Sequence, residues 1–378
     1  MVNQNHKVSV GVIFGGVSGE HEISLLSARS ILAALNPQKY EIIQIYITQE
    51  GTWLSGEDML TKVSQGHLKD SIPVALFADP TRPGVYRLTS FENAGKIDLL
   101  KEVDVIFPVL HGTFGEDGTV QGLFEMAGLA YVGAGVVASA VGMDKGIFKD
   151  VMRANGLPVV ESRIFTRQEI IDHLDKVIEN AEEVAPYPLF VKPANLGSSV
   201  GVSKCFNRSD LEKGLMDSAR YDRRILVERG VEARELEVSV LGNEAPMVSL
   251  PGEIIPADEF YSYNAKYHDD RSQLLIPAPL DDDQTETARN LAIRCFKAVD
   301  GAGMARVDLL MDRNNGVIYI NEINTIPGFT QISMYPKLWE ISGISYSELV
   351  DRLIDLALER KAERQKTIYC YQREKSTR

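Results

Sequence analysis

The sequence predicts an α/β protein of several domains, beginning with a parallel sheet flanked by helices. Three observations predict it. KVSVGVIF (residues 7–14), EIIQIYIT (41–48) and VDVIFPVL (103–110) are short apolar runs rich in β-branched residues, as in strands covered on both faces. A helical pattern from Ile23 to Leu35 lies between the first two, and another near Thr119–Ala127 follows the third. Strand–helix–strand order implies parallel pairing through crossovers. The chain of 378 residues, 44% hydrophobic, is long enough for two or three cores.

The elements follow in order. MVNQNHK runs straight into the first strand with no signal-peptide pattern, and no apolar run approaches the roughly 20 residues of a membrane span. A cytoplasmic protein without membrane contact is expected. Residues 56–98 carry few clear elements. From Gly135 a second segment shows helices around 136–142 and 144–155, then strands PLFVKP (188–193) and VGVSKC (200–205). A third segment starts near RRILVERGV (223–231), and the last residues read as a helix end with a charged tail. The expected domains are 1–134, 135–227 and 228–378. The net charge of −13 argues against a nucleic-acid partner. Cys205, Cys295 and Cys370 are far apart, which indicates neither a zinc site nor a disulfide framework.

GMARVDLLMDRNNGVIYINEIN (303–324) is the most informative stretch. Val307, Leu309 and Met311 alternate, Asp312 to Gly316 supply turn chemistry, and Val317 to Ile323 form the return strand. A turn centred near Asn315 sets Asp308 opposite Glu322, and Arg306 opposite Asn324, on one face. Two carboxylates directly across a ladder repel each other. A hard dication between them removes that cost, and Mg²⁺ takes such oxygen ligands. Asp308, Glu322 and Asn324 are the candidate metal ligands, with Arg306 beside them as an anion clamp.

Other motifs point the same way more weakly. In GGVSGEHEIS, glycines between a strand and a helix bring amides toward an anion, and Glu22 in the first helical turn is placed to hold an ammonium or to complement the helix dipole. HGTFGEDGTVQG (111–122) follows a strand's carboxyl end, where open α/β sheets bind ligands; it holds His111. In VKPANLGSSVGV (191–202), Lys192 sits among apolar residues and calls for an anion, and the Ser198-Ser199 loop can donate to a terminal phosphate. Lys145 stands near a helix start. Glu228 and Glu235 lie in a linker suited to adenine and ribose. Lys266 and Tyr267 belong to a polar loop (260–274) that can serve as a lid. Gly328 can turn its N–H toward a developing oxyanion, and Ser333 is close enough to contact a carboxylate held there.

These motifs, in this order over nearly the whole chain, resemble the ATP-grasp enzymes and, within them, the D-alanine–D-alanine ligases. GVIFGGVSGEHEIS, LHGTFGEDGTVQG, VGMDK, VKPANLGSSVGV, NAKY, ARVDLL and NEINTIPGFT carry the resemblance. It implies an ATP-grasp fold of three domains, with ATP bound between the second and third and a lid near 255–275. The implied activity joins two D-alanines through an acyl phosphate, for peptidoglycan precursors. It implies two Mg²⁺ (or Mn²⁺) ions on Asp308, Glu322 and Asn324, and oxyanion donors from Arg306 and the Gly328 amide. Glu22 would hold the first D-alanine's ammonium, with His111 nearby, and Ser333 the second substrate's carboxylate. Glu22, Ser198 and Tyr267 would form a hydrogen-bonded trio. Lys145, Lys192, Ser198, Ser199, Glu228, Val231, Glu235 and Lys266 would bind ATP. A homodimer is implied as well. The rivals are a D-alanine–D-serine or D-alanine–D-lactate ligase, another ATP-grasp carboxylate–amine ligase, and a nucleotide sensor that keeps the fold without an acceptor site.

Overall fold

The computed structural model describes residues 7–89, 95–255 and 273–369. Strands β1 (Val8–Gly15), β2 (Tyr40–Ile47), β3 (Trp53–Ser55), β4 (Ile72–Leu76), β5 (Val85–Thr89), β6 (Lys96–Lys101), β7 (Val105–Val109) and β8 (Ala130–Tyr131) form one sheet in the order 6-5-4-3-2-1-7-8. β1 runs parallel to both β2 and β7, and β7 to β8. Alternation along these strands covers both faces. Val10, Val12, Phe14 and Phe107 join one core, while Ile13, Ile45 and Ile106 join another.

Residues 56–98 are more ordered than their sequence suggests. They hold a helix (Met59–Gln65) and the strands β4, β5 and part of β6, which extend the sheet as an antiparallel meander. β6 is mostly solvent-facing and reads KIDLLK, so it lacks the apolar run that marks β1 and β7.

β9 (Ser162–Thr166), β10 (Leu189–Pro193), β11 (Ser203–Cys205) and β12 (Arg224–Arg229) form a four-stranded antiparallel sheet in the order 11-10-12-9. The RRILVERG strand therefore closes the second sheet rather than opening the third segment. Its Ile225 and Val227 pack with Leu189, Val191, Leu211 and Leu215 in that sheet's own core.

β13 (Ala233–Gly242), β14 (Met247–Val248), β15 (Gly252–Ile255), β16 (Gln273–Leu275), β17 (Gly303–Asp312) and β18 (Ile318–Asn324) form the third sheet. Leu236, Val238, Val307, Leu309 and Ile320 bury one face against the helix Asp282–Ala298. That leaves the alternate residues for the opposite face. The last helix, Tyr346–Arg364, returns to the first sheet, where Leu349, Val350, Leu353 and Ile354 pack with Val10 and Phe107.

Candidate active site

β1 and β7 are adjacent parallel strands whose following chains leave on either side, the switch point at which a parallel sheet opens a crevice. The loop after β1 ends at Glu20, which precedes the helix His21–Ala34. Ser198 Oγ donates to Glu20 Oε1 at 2.5 Å. The loop after β7 reaches the same place. A Cβ on Gly112 would lie 2.7 Å from Glu20 Oε2, and Gly112 has φ +70°, a left-handed backbone that favours glycine where the two loops meet. His111 is buried. Its Nδ1 meets the Ile326 carbonyl at 2.9 Å and its Nε2 lies 3.2 Å from Ser27 Oγ. Burial pulls its pKa below the ordinary histidine value, so the ring is neutral. Glu116 accepts from the Gly112 and Ile326 amides, each at 2.9 Å. Burial, reinforced by the charge of Glu20, pushes its pKa up to about 8.

The third sheet forms the floor. β17 and β18 pair with Arg306 opposite Asn324 and Asp308 opposite Glu322, the register expected from the sequence. A bulge after Asp308 takes up Asn321, so that Leu309 pairs with Ile320. β13 adds Glu237 directly across from Asp308, giving three carboxylates in a row over three strands. Cations separate them. Arg306 grips Asp308 bidentately through Nε and Nη2, both at 2.7 Å, and its Nε lies 3.0 Å from Glu237. Lys145 Nζ is 3.6 Å from Glu322. Asn324 Nδ2 donates to Asp308 at 3.0 Å. A small cavity of about 110 Å³ joins Glu20, His111, Ser198, Arg306, Gly328 and Ser333.

A larger cleft of about 880 Å³ lies between the second and third sheets, lined by Lys145, Lys192, Ser199, Glu228, Val231, Glu235, Asp308 and Glu322. Lys192 pairs with Glu228 across β10 and β12, and Lys149 Nζ is 3.1 Å from the same carboxylate. Burial alone would raise the Glu228 pKa, but the two ammonium groups outweigh it and hold it at about 2. Ser198 and Ser199 have φ of 55° and 57°, a left-handed conformation costing about 1–2 kcal/mol per residue. The loop keeps it in a position facing the cleft.

The comparisons agree with this geometry. Residues 9–134 match the family described as the D-Ala–D-Ala ligase N-terminus, and residues 151–355 its C-terminus. The D-alanine–D-alanine ligase of Thermoanaerobacter sp. (strain X514) is 51% identical over 360 residues, covering 95% of this chain and 98% of the relative. That of Heliobacterium modesticaldum is 49% identical, covering 95% and 97%. The chain belongs to the D-alanine–D-alanine ligase family. The solved D-alanine–D-alanine ligase of Coxiella burnetii has a TM-score of 0.79 at 37% identity, covering 95% of this chain and 96% of that one. The D-Ala:D-Ser ligase VanG of Enterococcus faecalis has 0.83 at 32%, covering 93% and 100%. This ligase has the ATP-grasp fold of the family, its second and third sheets facing each other across the cleft.

Most residues singled out in the ligase's sequence converge on these two spaces. Glu22 does not. It is exposed on the first turn of its helix, outside both cavities. Glu20, two residues earlier, fills the place expected of it, because the residue ahead of the helix, rather than one in its first turn, faces the crevice. His111 lines the small cavity, but both ring nitrogens already meet protein atoms. Ser333 Oγ lies 2.7 Å from Thr330 Oγ1. Lys266 and Tyr267 lie outside the described residues. Glu20 and Glu116 lie inside GGVSGEHEIS and HGTFGEDGTVQG without a role assigned to them there, and Lys149 and Glu237 carry no motif of their own. EHE offers two equivalent carboxylates, and E-x-E in ARELEV gives only the strand period that aims Glu235 and Glu237 alike.

Proposed function

We propose that the chain joins two D-alanines into D-alanyl-D-alanine at the expense of ATP. The observation that carries it is the continuity of the two spaces. Lys145, Ser198, Glu237 and Glu322 border both a small cavity bearing Glu20 and Arg306 and a nucleotide-sized cleft bearing Lys192. ATP lies in the cleft, its adenosine toward Glu228, Val231 and Glu235, and its phosphates toward Lys145, Lys192, Ser198 and Ser199. The resemblance adds Lys266, which lies outside the described residues, to this set.

Asp308, Glu322 and Asn324 fit a hard dication, being oxygen donors where the cleft, lined by Asp308 and Glu322, meets the small cavity, lined by Glu322 and Asn324. Mg²⁺ (or Mn²⁺) held by these residues would take its remaining ligands from phosphate oxygens and water. Such ions, when bound, spread the charge of the transferring phosphoryl group.

The chain's own groups do the rest. Glu20 holds the ammonium of the first D-alanine, so its carboxylate faces the γ-phosphate. Phosphoryl transfer to that carboxylate gives an acyl phosphate and ADP. Ser333 holds the carboxylate of the second D-alanine, whose amine attacks the acyl carbonyl. Arg306 and the Gly328 N–H receive the oxyanion that forms, and its collapse expels phosphate. The resemblance gives Tyr267, which lies outside the described residues, a role beside Ser198 and Glu20. We propose further that the enzyme is a cytoplasmic homodimer supplying peptidoglycan precursors. Among the described residues no helix is long and apolar enough to cross a membrane.

A phosphate-release assay with ATP, Mg²⁺ and D-alanine, D-serine, D-lactate or L-alanine tests the reading. D-alanine alone is expected to drive release and yield the dipeptide. Hydrolysis indifferent to all four would remove it, and incorporation of D-serine in preference to a second D-alanine would shift it to the D-serine type.

Glu20→Gln is expected to raise the KM for the first D-alanine about 10- to 100-fold, the loss of one charged hydrogen bond of about 1.5–3 kcal/mol. Glu22→Gln should stay within twofold of wild type. The reverse pattern in initial-rate kinetics would restore Glu22 to the site.

A further inference from the structure

The chain carrying Gly328 runs from Thr325 to Thr330 without helix or strand, yet the first sheet's loops pin it. The Ile326 residue is held at both its polar groups. Its N–H donates to Glu116 Oε1 at 2.9 Å, and its carbonyl accepts from His111 Nδ1 at 2.9 Å. The other Glu116 oxygen accepts the Gly112 N–H at 2.9 Å, tying the grip to the loop after β7. One residue past Gly328, the Phe329 N–H donates to Ser27 Oγ at 3.2 Å, and Ser27 Oγ lies 3.2 Å from His111 Nε2. Two fixed points therefore flank Pro327-Gly328, the turn that aims the N–H assigned above to the oxyanion. Both Glu116 oxygens and both His111 nitrogens meet protein atoms, so these groups serve the reaction through the backbone they hold.

We propose that Glu116 is a positioning residue that, with His111, clamps the Ile326 peptide and thereby orients the Gly328 amide. The proposal rests on the dipeptide-forming reading. It reassigns His111 from the substrate's ammonium to the support of this turn. The chemistry is selective for a carboxylate. Two N–H groups converge on Glu116 from two separate loops; the ionised carboxylate accepts from both, which opposes the burial that raises its pKa, whereas an amide side chain has a single acceptor oxygen, so its NH₂ must oppose one of them.

Glu116→Gln is the test. Misplacing the Gly328 amide is expected to lower kcat for dipeptide about 10- to 100-fold, while the KM for ATP stays within twofold. In the unliganded protein, hydrogen exchange at the amides of Ile326, Gly328 and Phe329 should quicken at least tenfold in the variant. Glu116→Gln and His111→Asn together should lower kcat no further than the worse single change, because both act on one peptide. Unchanged exchange at Ile326, Gly328 and Phe329 in Glu116→Gln, with the wild type turning over normally, overturns the proposal. A wild type that makes no dipeptide counts instead against the function. If Glu116→Gln does not fold, His111→Asn frees the other side of Ile326, and unchanged exchange there overturns the proposal equally.

Discussion

Glu322→Gln is expected to lower D-alanyl-D-alanine formation by about three orders of magnitude with the fold intact. Gln is nearly isosteric, and the Glu322 side chain retains 24% exposure, so the substitution leaves no cavity and no stranded buried charge. What it removes is one of the two anionic oxygen groups facing each other across β17 and β18. Losing about 4 kcal/mol of metal-borne charge stabilisation corresponds to ~10³ in rate. Lys145, 3.6 Å from that carboxylate, loses its charged neighbour but keeps its bond to the Leu196 carbonyl, so part of the loss should appear as weaker nucleotide binding. Phosphate release measured against Mg²⁺ concentration, beside a melting curve, separates the two. A variant that melts like wild type and turns over within tenfold of it would show that the metal does not sit on this hairpin.

Arg306→Met is expected to harm both stability and rate. Glu237 is buried, and Asp308 is held through both oxygens by the same guanidinium. Taking the cation from such a cluster strands its carboxylates, at about 3–5 kcal/mol. The melting temperature should drop by roughly 10 °C on the scale of 2–4 °C per kcal/mol for domains of 150–250 residues. Turnover should fall ~10²–10³-fold, the usual effect of one oxyanion donor. Arg306→Lys tells the roles apart. It restores a positive charge, hence most of the stability, but cannot span two oxygens of Asp308 while reaching Glu237. Arg306→Lys that is stable yet still impaired in turnover fits the assignment; recovery of both, or nucleotide affinity falling further than turnover, contradicts it.

How much of this was legible depends on how local each feature is. The Asp308–Glu322 opposition needs only a strand period of two and a recognisable turn, both contained in 303–324, and one bulge at Asn321 left that register untouched. The Gly-Ser loop and Lys192 were readable for the same reason, as a hairpin between two strands. Glu20 was not, because choosing between two glutamates in EHE requires knowing which one faces Ser198, 178 residues away. Glu116 and Glu237 escaped similarly: their meaning lies in Ile326, Gly112 and Arg306, and neither local spacing nor composition reports those contacts. The meander from β3 to β6 was missed because its strands are short and half solvated, so the apolar periodicity that marks β1 and β7 is diluted.

The return of the last helix to the first sheet bears on how the chain is made. Tyr40 Oη donates to Asp351 across 311 residues, and Leu349 and Leu353 complete the core around Val10 and Phe107. Closing a loop of that length costs about 5 kcal/mol in chain entropy by the logarithmic rule. The helix His21–Ala34 covers part of that face from close by in sequence, with Ala28, Ile31 and Leu35 in the same core, and the last helix supplies the rest. A growing chain thus emerges with this apolar layer only partly covered until nearly its last residues are synthesised, and the part left bare is where a nascent chain is open to self-association. The strands that place Glu20 and His111 are among the first to be made, and their enclosure is among the last contacts to form.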